Sequence, residues 1–165
     1  MDERAAFTFF TDPVNSKFQE AAAEYRFLEM LLVQAAGCGQ KINVCRSDFD
    51  AFGYDLLLRL GDVTRLIQLK ARSGGTDNDG YWDVHRSLLS SPDSRIVCAR
   101  LKLVPSLVGA ETVADRIQYE FKLFDYLAHA TAASQRSPKK AHASKCKVLE
   151  REFTPITTNL LALFA

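Results

Sequence analysis

Asp55, Gln68 and Lys70 are the residues of this chain whose types and spacing suit chemistry on a phosphate. They lie in FGYDLLLRLGDVTRLIQLKAR, Phe52 to Arg72, where two apolar strands flank a tight turn. Gln68 and Lys70 are two apart, so on a strand both side chains leave one face and Leu69 leaves the other. Gly61-Asp62 reads as a two-residue hairpin loop, with glycine supplying the positive φ that the first central position of a type II′ turn requires. Leu60 then faces Val63, and counting back along both strands sets Asp55 opposite Gln68. A carboxylate and an amide oxygen are two ligands for a hard cation, and an ammonium beside them can touch a phosphate or an attacking water. A three-residue loop would instead oppose Asp55 to Leu69 and send the carboxylate to the other face.

Lys70 is flanked by Leu66, Ile67, Leu69 and Ala71, so its stem is expected to be buried. An unpaired buried ammonium is strongly unfavourable, and Lys70 is therefore expected to have a carboxylate partner. A buried Asp55–Lys70 ion pair, with Gln68 as its hydrogen-bonding neighbour, is the purely architectural alternative to a reactive site.

The elements that must position these groups begin upstream. Val14 to Ala36 reads as a long amphipathic helix, with Phe18, Ala21, Ala22, Tyr25, Leu28, Leu32 and Ala35 at helical spacing. Asp12 or Asn15 can cap it, and Gly37 and Gly39 end it. Glu20 and Glu24 lie one turn apart on it. Ile42 to Arg46 (INVCR) follows as a first strand, so the order is helix, strand, strand, strand.

That order, carrying a helical Glu, a strand Asp and a strand Gln-x-Lys, resembles the core of the PD-(D/E)XK nuclease superfamily, the restriction-endonuclease-like or Holliday-junction-resolvase-like fold. Glu24, Gly53-Tyr54-Asp55 and Gln68-Leu69-Lys70 match its pattern, and Glu24 fits the family spacing to the helix-ending glycine better than Glu20 does. The likeness covers Phe18 to Arg72. Gln68 stands where the pattern more often has Glu, which removes one negative charge from the metal site.

The resemblance implies a Mg²⁺- or Mn²⁺-dependent endonuclease that hydrolyses phosphodiester bonds in DNA. Glu24, Asp55, Gln68 and Lys70 would be its catalytic residues, with Asp55 and Gln68 holding the metal. Lys70 would orient the nucleophile, and Glu24 would steady Lys70 or the hydrated cation. Arg72, Lys139 and Lys140 are the expected nucleic-acid contacts. The alternative is the same fold without catalysis, a nucleic-acid-binding or protein-interaction module. Restriction-like enzymes often cut two strands as dimers, and the strand near Ile117 to Phe124 offers an edge for a homodimer.

Composition agrees with this reading. A chain of 165 residues with 47% hydrophobic content can bury one sizeable core, so residues 1–165 are expected to form a single domain. No run approaches a membrane span, and the start MDERAAF is not a secretory signal, which leads to the expectation of a cytoplasmic protein. Cys38, Cys45, Cys98 and Cys146 are widely spaced with no C-x-x-C pair and read as buried free thiols. A net charge of +1 gives no global attraction to nucleic acid. Locally, RSPKKAHASKCK from Arg136 to Lys147 carries five basic residues and no acid, and reads as a loop that either contacts phosphates or is merely solvated.

The second half extends the sheet. Ser73 to Asp83 (SGGTDNDGYWD) reads as a loop bordering the Lys70 strand, with Trp82 either a core anchor or a stacking platform. Val84 to Leu89 reads as a short helix on which His85 and Arg86 could face a phosphate. Arg95 to Val104 and the alternating Ile117 to Leu123 read as strands. Pro105 to Ala114 reads as their connection, Asp125 to Gln135 as a helix, and Asn159 to Ala165 as a short final helix capped by Thr157 or Thr158. The expected architecture is α/β (α+β): a central mixed β-sheet of about five strands flanked by helices, with the long helix on one face.

Overall fold

The computed structural model of the chain describes residues 3–47, 53–73, 80–103, 117–124 and 144–165. Its centre is a six-stranded mixed sheet in the order β1-β2-β3-β5-β6-β8. These strands are β1 (Ile42–Arg46), β2 (Leu56–Leu60), β3 (Val63–Ser73), β5 (Ser94–Leu103), β6 (Ile117–Phe124) and β8 (Phe153–Pro155). A second, two-stranded ribbon pairs β4 (Tyr81–His85) with β7 (Lys145–Leu149). The mixed α+β architecture is as expected, with one strand more in the central sheet and a ribbon in addition.

The β2–β3 hairpin forms as its sequence dictates. Gly61 takes φ +58°, and Leu60 pairs with Val63, which carries the register back to Leu56 opposite Ile67. β3 then runs parallel to β5, with Lys70 beside Cys98 and Arg72 beside Arg100, and β5 pairs antiparallel with β6. β8 covers only Lys122 to Phe124 of β6, so the strand expected to offer a free edge is internal to the sheet at that end.

α1 (Glu3–Thr11) precedes a 3-10 turn, Pro13–Asn15, which leads into α2 (Ser16–Gly37). The Asp12 side chain accepts from Val14 N at 2.9 Å, and Pro13 begins the turn where a missing N–H is harmless. α2 buries Ala23, Phe27, Leu28 and Leu31 against Leu56, Leu58, Ile67, Leu69, Val97 and Phe121, and Ala35 is buried near its end. This stripe differs from the expected one. Leu28 and Ala35 are buried as expected, but Phe18, Tyr25 and Leu32 are exposed, because apolar residues occupy more than one side of α2. Phe18 packs instead on Phe9 and Phe10 of α1, and Tyr25 lies under the Arg46 guanidinium at 4.9 Å. Phe27 alone, fully buried, contributes about 1.5–3 kcal/mol through area removed from water.

The opposite face of the sheet is covered by the ribbon. Both its strands alternate, with Trp82, Val84, Cys146 and Val148 inward against Ile96, Cys98, Phe124 and Phe153. Tyr81, Asp83, Lys145 and Lys147 point to solvent, the alternation of a sheet with one wet face.

Several local expectations change. Tyr81 to His85 is strand rather than loop or helix, and only Arg86–Leu89 (α3) is helical, because inward Trp82 and Val84 complete the second core. Lys145 to Lys147, expected in a loop, belong to β7 for the same reason. The final Leu160–Phe164 segment is a 3-10 helix that packs Leu160 and Leu163 under α2. Thr157 does not cap it, since its hydroxyl accepts from Phe121 N at 2.8 Å. All four cysteines are free, but only Cys98 and Cys146 are buried, while Cys38 and Cys45 are exposed beyond the helix end and on the edge strand β1. The expected helix at 125–135 and the connection at 105–114 lie outside the described residues. Among those residues, no helix is long and apolar enough to cross a membrane.

Candidate functional site

Asp55 sits immediately before β2, at a break in the ladder. Its amide donates to Ile67 O at 2.8 Å and its carbonyl accepts from Ser47 N at 2.9 Å. Ile67 therefore faces both Asp55 and Leu56, the two-against-one count of a β-bulge. The bulge moves Asp55 from the expected position opposite Gln68 and lets its side chain turn along the strand. Carboxylate oxygen Oδ2 accepts from Leu69 N at 2.7 Å, so a side chain continues the ladder where β2 has ended. The carboxylate is thereby held against the peptide between Gln68 and Leu69, next in sequence to Lys70.

Gln68 is 5% exposed and hydrogen-bonded at both ends of its amide. Nε2 donates to Gly53 O at 2.6 Å, and Oε1 accepts from His85 N at 3.0 Å. The Gly53 conformation explains the residue. Its φ is +76°, and a Cβ there would stand 2.3 Å from His85 Cγ, so the imidazole fills the space a side chain would need. The ring is fixed in turn by Nδ1 against Ser87 Oγ at 2.7 Å. Gln68 thus fastens the approach to β2, through Gly53, to the end of the ribbon, through His85. Sequence reasoning named His85 but not this contact, which a glycine two residues before a candidate site Asp could have suggested.

Lys70 is half-buried on the same face as Gln68. Among the described residues no carboxylate lies within ion-pairing distance of it. Arg72, next on that face, donates from Nη2 to Tyr81 O at 2.7 Å and lays its guanidinium 4.6 Å from the Trp82 ring. Trp82 is a core anchor, with Nε1 donating to Glu150 Oε2 at 3.2 Å.

Glu24 is held elsewhere. Its Oε1 accepts from Arg46 Nε at 2.7 Å, and this hydrogen bond together with the carboxylate charge raises the Arg46 pKa. Glu24 belongs to α2, which packs on the Ile67 and Leu69 face, whereas Gln68 and Lys70 face the ribbon. The structure seats the Asp55 carboxylate on the Leu69 amide and leaves Glu24 across the sheet from Gln68. Lys139 and Lys140 lie outside the described residues.

Behind Lys70 and Arg72 runs a buried charge network that sequence reasoning missed. Glu150, at the end of β7 and 0% exposed, accepts from Arg100 Nε and Nη2 and lies 3.4 Å from Lys122 Nζ. Burial pushes its carboxyl pKa up, but hydrogen bonds and charge from Arg100, with Lys122, outweigh burial and the net shift is down. Cys98, between these strands, has its thiol pushed up to about 12 by burial and by the Glu150 charge, which makes it inert.

The donor set for a cation is sparse. Among the described residues, no three His, Cys, Asp or Glu side chains gather. Asp55 offers an anionic carboxylate, and Gln68 Oε1, with one lone pair accepting from His85, retains a second. One carboxylate and one neutral oxygen are donor types that a hard cation such as Mg²⁺ accepts when water and phosphate supply most of its shell. No protein-family model matches this chain, and no curated protein does.

Proposed function

We propose that this protein is a metal-dependent nuclease, hydrolysing phosphodiester bonds in DNA at Asp55, Gln68 and Lys70 on a restriction-endonuclease-like scaffold. The observation that carries the reading is the Asp55 carboxylate seated on Leu69 N–H, between the two polar residues of the Gln-x-Lys strand. Asp55 and Gln68 would hold Mg²⁺ or Mn²⁺, which when bound lowers the pKa of water and screens the phosphate. Lys70, two along the strand from Gln68 and without a described ion-pair partner, would offer its ammonium to an oxygen that gains charge in the transition state. Arg72, pinned by Tyr81 O and Trp82, holds a guanidinium along the same strand for a flanking phosphate. Free, exposed Cys38 and Cys45 suit a reducing compartment such as the cytoplasm.

The test is cleavage of plasmid, single-stranded and branched DNA with Mg²⁺ or Mn²⁺. Asp55→Asn keeps an acceptor for Leu69 N but loses the charge, and Lys70→Ala removes the ammonium. Cutting by the parent protein that both folded variants lose is the expected result; equal cutting by either variant refutes the site.

A second reading, nucleic-acid binding without hydrolysis, is favoured by Gln68 being satisfied at both ends of its amide and by Glu24 being engaged with Arg46. Calorimetry with Mn²⁺ separates the two, since only the hydrolase requires the cation at Asp55.

A further inference from the structure

We infer that the solvent face of the β4–β7 ribbon is a docking surface for single-stranded DNA. The inference leans on the hydrolase reading only for where the strand leads. On that face β4 presents Tyr81, Asp83 and His85, and β7 presents Lys145 and Lys147, with Asp83 opposite Lys147 and His85 opposite Lys145. Tyr81 is 49% exposed on this face. The Lys147 ammonium stands 5.7 Å from its centroid. Neither Lys145 nor Lys147 forms an ion pair with a described residue. Among the described residues of this face, two exposed lysines and an exposed ring stand with one acid, Asp83, opposite Lys147.

The chemistry of that face selects its occupant. An exposed ring stacks on a base and the flanking ammonium groups meet successive phosphates, a combination that tolerates any base sequence. A duplex keeps its base faces covered, so only a single strand uses both features. The ribbon is also aligned with the candidate site. The Arg72–Tyr81 bond and the Gln68–His85 bond hold β4 alongside β3 over the stretch that contains Lys70. A strand lying on Tyr81 and Lys147 therefore lies on the ribbon that is tied to the Lys70 strand.

The experiment is fluorescence anisotropy of a short labelled oligothymidine and of a matched duplex, with EDTA present, across a range of salt. Lys145→Ala/Lys147→Ala should lower the slope of log K against log salt by about 1.4 on the single strand, two contacts at about 0.7 each. Tyr81→Leu should weaken single-strand binding by about 5-fold to 100-fold and leave duplex binding unchanged. All three residues are exposed, and circular dichroism checks that the variants fold. An absence of binding by the parent protein, or parental slopes and affinities in these variants, overturns the inference. Losses as stated in a protein that never cuts DNA keep the ribbon surface and remove the hydrolase reading. Cutting with ribbon variants that bind like the parent does the reverse.

Discussion

Replacing Glu150 with Ala should be among the most destabilising single changes in this chain. Glu150 is fully buried and is the carboxylate shared by Arg100, 4% exposed, and Lys122, 7% exposed. Glu120 lies 4.0 Å from Lys122 and 2.7 Å from Lys102, so Lys122 keeps part of its compensation and Arg100 loses its described carboxylate partner. Removing one partner of a buried ion pair costs about 3–5 kcal/mol. For a chain of this size that lowers the melting temperature by roughly 6–20 °C, against a total stability of about 5–15 kcal/mol. Urea unfolding followed by Trp82 fluorescence reports the loss, because Trp82 is the sole tryptophan and donates to Glu150. Far-ultraviolet circular dichroism guards against a purely local change in the reporter. The companion variant Arg100→Met/Lys122→Met/Glu150→Leu should recover most of the stability, since apolar replacements of a whole buried network are commonly tolerated. A loss under about 1 kcal/mol for Glu150→Ala would refute the reasoning, because surface pairs are worth that little.

Acid should act through the same group. The folded Glu150 pKa lies below its unfolded value, so its stabilisation is complete above the ordinary carboxylate range and is lost as pH falls through the folded value. The urea midpoint of the parent protein should fall more steeply on acidification than that of Glu150→Gln. Gln68→Leu strands Gly53 O and His85 N and should destabilise by about 2–4 kcal/mol in the same assay. Gly53→Ala should match or exceed that loss through the collision with His85, whereas Gly37→Ala, with open space around it, should be stable. Finally, a thiol reagent should modify Cys38 and Cys45 quickly in the native protein and reach Cys98 and Cys146 only on unfolding.

The hairpin was readable because everything that sets it is local. Gly61 dictates the turn, the turn dictates Leu60 opposite Val63, and the alternation of β3 follows. The bulge at Asp55 was not readable, since one amide reaching Ile67 O instead of keeping register leaves no mark on the apolar pattern. The face of α2 was misjudged for a different reason. With Phe18, Tyr25 and Leu32 as apolar as Phe27 and Leu31, periodicity identifies a helix without saying which side the sheet will take. The true partners of Gln68 were hidden by distance along the chain, because His85 reaches Gln68 as part of a ribbon whose second strand comes after residue 144. Glu150, Arg100 and Lys122 were hidden likewise: each reads as an ordinary charge until β5, β6 and β7 bring them together.

The ribbon has a consequence for the order of events on the ribosome. β4 is synthesised long before β7, yet Tyr81 must wait for Leu149 and His85 for Lys145. Until then Ile96, Cys98 and Phe124 lack the cover of Cys146 and Val148, and an unpaired strand lies beside them, the combination that invites misassembly between nascent chains. β7 brings the inward residues that close this core and the outward lysines in one stroke, since Cys146 and Val148 alternate with Lys145 and Lys147. A chain released early lacks both, so the basic surface is presented only by molecules whose second core is already shut.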